Sequence, residues 1–368
     1  MKVLTKNITN TDSAVQHGSM QILYMKKNYL LGLIFILAAN LQAQDIHFSQ
    51  QTETPLYISP ANAGFFNGYV RAIGNYRSQW ASMNKAFVTE GVSIDGGLFR
   101  LKKRAAFMGM GLTIFNDQAG AAKLRKTDMM LNVSGVVKIG QRSAMSAGVA
   151  MGTSATNANY NNLTYASQFD GNQIDPTLSS NEIPYRQFTT VDVGAGLAYE
   201  FASYKRDQDH DDVTSFKIAL GAFHLNRPAQ NFGAGSDYRM PVRYAGSASA
   251  VFDMEDTRFT ISPTVLYQMQ GTYQELFLGS YVKFRMSTGT KVTGAKTQNA
   301  IGIGLFYRNQ DAIIPGLICD IGDFTVAMAY DINVSGYRYA TNKNGGFEVA
   351  LRYNMLASAL FETKREYR

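Results

Sequence analysis

The chain reads as an all-β protein, a transmembrane antiparallel β-barrel of about fourteen strands. Three observations point there: apolar residues alternating with a period of two over long segments, an export signal near the N-terminus, and an unusual composition. Charged residues make up 17% of the 368, below the roughly 25% of soluble domains, while aromatics reach 12% and glycine 33 residues. That balance suits strands and tight turns better than helices.

Met25-Lys26-Lys27-Asn28 is a charged stub, Tyr29 to Ala39 an apolar run, and Asn40-Leu41-Gln42-Ala43-Gln44 a small-residue exit with cleavage expected after Ala43. The apolar run is about eleven residues long, against the roughly twenty that a membrane-crossing helix needs. Residues 1–24 are polar and precede a complete signal, so translation is expected to begin at Met20 or Met25. The expected organisation is then an extension at 1–24, a signal peptide at 25–43, an N-terminal plug or turn segment at 44–67, a barrel at 68–356 and a periplasmic tail at 357–368. No later run of eighteen apolar residues exists, and a membrane chain without one crosses as a closed barrel.

The alternation is explicit. Val191, Val193, Ala195, Leu197, Tyr199 and Phe201 interleave with Asp192, Gly194, Gly196, Ala198, Glu200 and Ala202. Met129, Leu131, Val133 and Val137 do so with Asp128, Asn132, Ser134 and Lys138, and Phe347, Val349, Leu351 and Tyr353 with Glu348, Ala350, Arg352 and Asn354. Each segment thus carries one apolar face and one polar or small face. A soluble sandwich would alternate too. Segments of about ten to fourteen residues, aromatics near their ends and the export signal favour the membrane form. Strands are expected near 68–79, 85–99, 105–117, 126–139, 142–155, 187–202, 213–226, 241–253, 257–269, 274–286, 298–308, 311–320, 322–332 and 345–355. With a periplasmic N-terminus, the long connections 156–186, 227–240 and 333–344 fall outside and the short ones at 102–104, 141 and 255–256 inside. The connections 203–212 and 287–297 are long for inner turns.

Chemistry is sparse. The formal charge of +7 is scattered, without a basic run or a recognition motif, so no nucleic-acid partner is expected. Cys319 is the only cysteine, which rules out an internal disulfide, and in a strand it is expected to be a small buried hydrophobe. The four histidines share no ligand spacing, so neither metal nor cofactor is expected. Asp207 to Asp212 begins like a calcium loop, but Asp212 replaces the turn glycine and Ile218 the bidentate glutamate, leaving a solvated acidic turn. The pairs Gly109/Gly111, Gly194/Gly196 and Gly302/Gly304 complete no dinucleotide motif. They leave a strand face without bulk, as curvature or an internal plug requires. No catalytic triad or nucleophile elbow is apparent, and the chain is read as no enzyme.

After the signal come His47-Phe48-Ser49-Gln50, then Pro55-Leu56-Tyr57-Ile58-Ser59-Pro60-Ala61-Asn62-Ala63-Gly64, then Asn75-Tyr76-Arg77-Ser78-Gln79-Trp80. Two prolines within six residues exclude a regular strand or helix, so this stretch should lie in the periplasm or in the barrel mouth as a plug. Trp80, after the first strand, suits a membrane interface. Arg71, Asn75, Arg77 and Gln79 are read as generic lumen polarity rather than a partner site.

These motifs closely resemble the opening of the PorP/SprF family of the type IX secretion system of Bacteroidetes. Phe223 to Pro228, Gly304 to Arg308, Tyr330-Asp331-Ile332 and Gly345 to Glu348 agree in order, across nearly the whole mature chain. Ser59 departs from the asparagine frequent there. The resemblance implies a multi-pass protein in outer-membrane lipid with both termini periplasmic, partnered by other type IX components. It further implies a secreted adhesin with a type IX C-terminal domain as cargo, and gliding motility. The loop 156–186, with Tyr160, Tyr165, Phe169 and Tyr185 among polar residues, is the expected docking surface. The alternatives are a FadL-like passive channel for small hydrophobic molecules and a structural link between the export machine and the periplasm.

Overall fold

The computed structural model describes residues 45–80, 87–100, 105–120, 122–159, 163–181, 187–206, 211–231, 238–254, 257–286, 299–336 and 342–355. The extension, the signal peptide and the tail at 357–368 lie outside them, as do 102–104, 207–210, 255–256 and 287–298.

Fourteen antiparallel strands close into a barrel. They are β1 (Val70–Gln79), β2 (Phe87–Leu98), β3 (Ala106–Ala119), β4 (Leu124–Lys138), β5 (Ser143–Asn157), β6 (Phe188–Arg206), β7 (Asp211–Phe223), β8 (Arg243–Asp253), β9 (Phe259–Gln270), β10 (Tyr273–Arg285), β11 (Ala300–Arg308), β12 (Ala312–Ile321), β13 (Phe324–Asn333) and β14 (Asn344–Asn354). Every strand pairs with its sequence neighbours, and β14 closes on β1 from Arg71↔Asn354 to Gln79↔Gly346. All fourteen lie where the alternation places them. The long turn expected at 203–212 is shorter, because β6 runs to Arg206 and β7 starts at Asp211.

The barrel is apolar outside and polar inside. Val92, Ile94, Leu131, Val149, Leu197, Ile303 and Leu317 are exposed, while Asp95, Asn132, Ser134, Asp192 and Glu348 on the same strands are buried. A soluble sandwich would reverse this, so the burial itself identifies a lipid-facing wall. Exposed aromatics gather at both ends. Tyr76, Tyr244, Tyr267, Tyr307, Tyr330 and Phe347 ring one rim, and Phe99, Phe252, Phe259, Phe284 and Phe324 the other. The tyrosine rim carries the connections 158–187, 224–242 and 334–343 and is called the loop rim below. The opposite rim carries the turn 322–323, the start of β1 and the end of β14.

The lumen is largely occupied. Residues 45–69 thread through it, and beside them Phe277, Tyr281, Phe306, Ile314 and Ile318 form an internal apolar cluster. The alternation predicts polar or small inward faces; β10, β11 and β12 instead turn bulky apolar residues inward. Cys319 also departs from expectation. Ala312, Ile314, Gly316 and Ile318 are the buried positions of β12, so the two-residue period places Cys319 on the lipid side, half-exposed rather than buried.

Candidate functional site

The site is the N-terminal segment locked inside the barrel, together with the loop rim above it. A 3₁₀ turn (Gln51–Glu53), a single helical turn α1 (Pro55–Ile58) and a second 3₁₀ turn (Pro60–Asn62) make up its body. Pro55 and Pro60 each open a turn, where a missing N–H costs nothing. Ser59 caps the second turn by accepting from Ala61 N at 3.3 Å. Gly64 then reverses the chain at φ +62°.

Wall residues satisfy this irregular backbone, as burial demands. Ser146 Oγ donates to Ala61 O (2.7 Å), Ser134 Oγ to Ala63 O (2.6 Å) and Lys217 Nζ to Phe65 O (2.6 Å). Gly64 N donates to Asp95 Oδ2 at 2.8 Å, and Asp95 also pairs with Arg71 at 2.9 Å. Inward glycines let the backbones touch. A Cβ at Gly109 would lie 1.9 Å from Ala63 O, at Gly148 2.6 Å from Ala61 N, and at Gly221 2.1 Å from Ile58 O. Of the glycine pairs singled out in the sequence, Gly109, Gly111 and Gly196 face the segment. Gly194 faces the Phe223 ring, and Gly302 and Gly304 face side chains of the wall.

Two ionic clusters hold the segment. In the first, Arg77 pairs with Asp331 (2.8 Å) and Glu348 (3.0 Å), and Arg308 pairs with Asp331 (3.1 Å) and Asp311 (2.8 Å). Both guanidinium groups donate to Ser49 Oγ at 2.6 Å. The Glu348 carboxylate accepts from Ser49 N (2.7 Å) and Gln50 N (2.9 Å), and Gln50 Oε1 accepts from Tyr281 at 2.8 Å. His47 lies 3.4 Å from Arg77; burial and the two arginines hold its pKa well below the usual value, so it is neutral. In the second cluster Asp45 meets Lys126 (2.8 Å), His224 (2.6 Å) and Arg243 (3.1 Å). Asp192 lies 2.8 Å from the other nitrogen of His224. Arg243 also stacks over the Tyr57 ring at 3.9 Å. Farther down the lumen, Glu53 pairs with Arg352 at 2.8 Å.

Asp45 therefore lies near the loop rim, at the opposite end of the lumen from the start of β1. Burial opposes the charged form of His224, but Asp45 and Asp192 outweigh it and lift its pKa to about 9. Because this folded value exceeds the unfolded one of about 6.5, the histidine's contribution is complete below pH 6.5 and fades as pH rises through 9. Hydrogen exchange of residues 45–58 is expected to accelerate between pH 7 and 10, beyond the intrinsic base-catalysed rise, and His224→Gln to remove that extra component. Identical corrected profiles would show that His224 does not hold the segment.

The residues anticipated from sequence distribute as follows. Phe48 is fully buried against Tyr57 and Phe115, and Leu56 and Ala61 are buried in the lumen. Ser49, Gln50 and Arg77 share the first cluster. Asn75 is buried and inward with its Nδ2 unpartnered, and Tyr76 points to lipid. Gln79 ends the β1 ladder, and Trp80 packs edge-on against Phe87 at 5.1 Å by the loop rim. Tyr165 caps a 3₁₀ turn at 166–168 and is half-buried, and Phe169 is exposed. Tyr160 and Tyr185 lie outside the described residues. Arg71 and Arg77, read as generic polarity, are specific anchors of the segment. His224, Arg308, Asp331 and Glu348 had been noted only within the later family-like stretches. The signal at Arg308, Asp331 and Glu348 is a charge on the inward register of a strand, whereas His224 lies just past the end of β7. Among the described residues no group of His, Cys, Asp and Glu side chains could hold a metal.

A family model described as Type IX secretion system membrane protein PorP/SprF matches residues 40–353. No curated protein matches the chain. Among solved structures, the chain is similar to the Pseudomonas putida toluene transporter TodX at 8% identity, covering 85% of this chain and 95% of that one, with a TM-score of 0.43. Against the CymD monoaromatic hydrocarbon channel the values are 8%, 85%, 94% and 0.40. Against BamA from Haemophilus ducreyi lacking POTRA domains 1–3 they are 8%, 78%, 70% and 0.39.

Proposed function

Since the chain belongs to the PorP/SprF family of type IX secretion system membrane proteins, we propose that this outer-membrane barrel anchors a secreted surface adhesin through the cargo's C-terminal sorting domain. In this reading the loop rim faces outward and the start of β1 and end of β14 face the periplasm. The N-terminal segment plugs the lumen, so cargo is held at the rim rather than threaded through the barrel. Secretion-system barrels of this family are a non-enzymatic kind of protein.

The observation that carries the proposal is the form of the loop between β5 and β6. Phe169, Ile174 and Leu178 are 53%, 48% and 41% exposed. They stand on a frame tied by the Phe169↔Ile174 bridge and by Asp170 Oδ1, which accepts from Asn172 N and Gln173 N at 2.7 Å each. Apolar side chains presented on ordered backbone lose little freedom on binding and make good contact anchors. A passive channel would need a path that residues 45–69 occupy.

Deleting residues 160–182 is expected to abolish co-purification of the adhesin after mild detergent extraction, while the barrel keeps its heat-modifiable mobility. Undiminished capture by the folded deletion variant would sink the docking role.

A further inference from the structure

Between the N-terminal segment and the wall of β7, β8 and β9 lies a cavity of about 160 Å³. One water needs only about 10–15 Å³ of such space, so the cavity has room for a solute of several heavy atoms. Its wall presents the hydroxyls of Ser247, Ser249 and Thr264, none of which hydrogen-bonds to another described residue. Facing them is Asn62, 3% exposed. Its Nδ2 donates to Pro55 O at 2.9 Å, which fixes the amide's orientation, and its Oδ1 is a buried acceptor without a donor. The charges at the cavity are balanced: Arg71 pairs with Asp95 at 2.9 Å, and Lys217 lies 3.7 Å from Glu200.

The wall here lacks bulk and is loosely tied. Ala245 to Ala250 are all alanine, glycine or serine, so β8 sends nothing large into the cavity. Pro263 on β9 has no N–H to donate to β8. The β8–β9 ladder accordingly runs to Ser249↔Thr264 and resumes only at Phe252↔Ile261, while β9–β10 continues through Pro263↔Ser280. The sheet can therefore yield where a solute would press on it.

We propose that this cavity is a binding site for a small neutral polyol, of tetritol to monosaccharide size. Its hydroxyls exchange hydrogen bonds with Ser247, Ser249 and Thr264, while Asn62 closes the cavity on the side of the N-terminal segment. Charge balance excludes a preference for an anion. The site is independent of the adhesin-anchoring role.

The test uses the full-length barrel in nanodiscs, with erythritol and D-glucose as neutral probes and glycerol 3-phosphate against glycerol as the charge comparison. Saturation-transfer NMR should detect a neutral probe, and its presence should slow hydrogen exchange in β8 and β9. Ser249→Val with Thr264→Val should weaken binding about tenfold, the scale of one to two lost hydrogen bonds. Ser247→Phe, which fills the cavity from the wall, should abolish binding in a barrel that still shows heat-modifiable mobility. Failure of both neutral probes, binding unmoved by either variant, or tighter binding of glycerol 3-phosphate than of glycerol would each overturn the proposal.

Discussion

Arg77→Met is expected to release the N-terminal segment and cost about 3–5 kcal/mol, the range for removing one partner of a buried ion pair. Arg77 and Glu348 are 2% and 0% exposed at the side chain, 3.0 Å apart. Arg308 would still neutralise Asp331 at 3.1 Å, so the uncompensated charge falls on Glu348. That carboxylate would keep only the amides of Ser49 and Gln50. Chemical unfolding in detergent should report the loss, and chymotrypsin should cut after Phe48, Tyr57 or Phe65 of the variant while sparing the parent. Arg77→Lys should recover part of the stability only, because an ammonium cannot reach Asp331, Glu348 and Ser49 with the geometry of a guanidinium. A variant as stable and as protease-resistant as the parent would show that the segment is held elsewhere.

The second large effect is expected from crowding between the wall and the segment. Gly109→Val places a branched side chain where even a Cβ would lie 1.9 Å from Ala63 O and 2.4 Å from Ser134 Oγ. Ser134 is itself committed to Ala63 O, so neither neighbour can move without losing that bond. The expected outcome is displacement of residues 60–65 from the lumen, a destabilisation of about 1–3 kcal/mol from overpacking, and a rise in single-channel conductance. Gly135→Val is the matched control, since a Cβ there meets nothing within 4 Å. Equal conductance in the two variants would refute the idea that the segment closes the lumen.

Both predictions rest on residues whose importance sequence reasoning divided unevenly. Ser49, Gln50 and Arg77 stood out because they sit in a dense, proline-marked motif resembling a known family. Asp331 and Glu348 lie only in shorter, later stretches of that resemblance, although they are the carboxylates that receive Arg77. Each lies in a strand of ordinary alternation, and separations of 254 and 271 residues from Arg77 leave no local trace of the pairing. The Asp45 cluster was hidden for the same reason: it joins the beginning of the lumenal segment to β4, β6, β8 and the end of β7. Cys319 shows the complementary limit, since its residue type suggested burial and its register decided otherwise.

What the sequence determined by itself was the strand count, the strand positions and the membrane character of the wall. Strand alternation is a local property, readable in ten residues, and segment length with aromatics near the segment ends separates it from a soluble sandwich. The tertiary structure decided what fills the barrel. Closure brings β14 against β1 and turns every inward side chain toward one axis, so that serine, glycine and arginine positions scattered over the chain converge on residues 45–69. No local pattern encodes that convergence, because it depends on ring closure and on the depth at which each inward residue comes to lie.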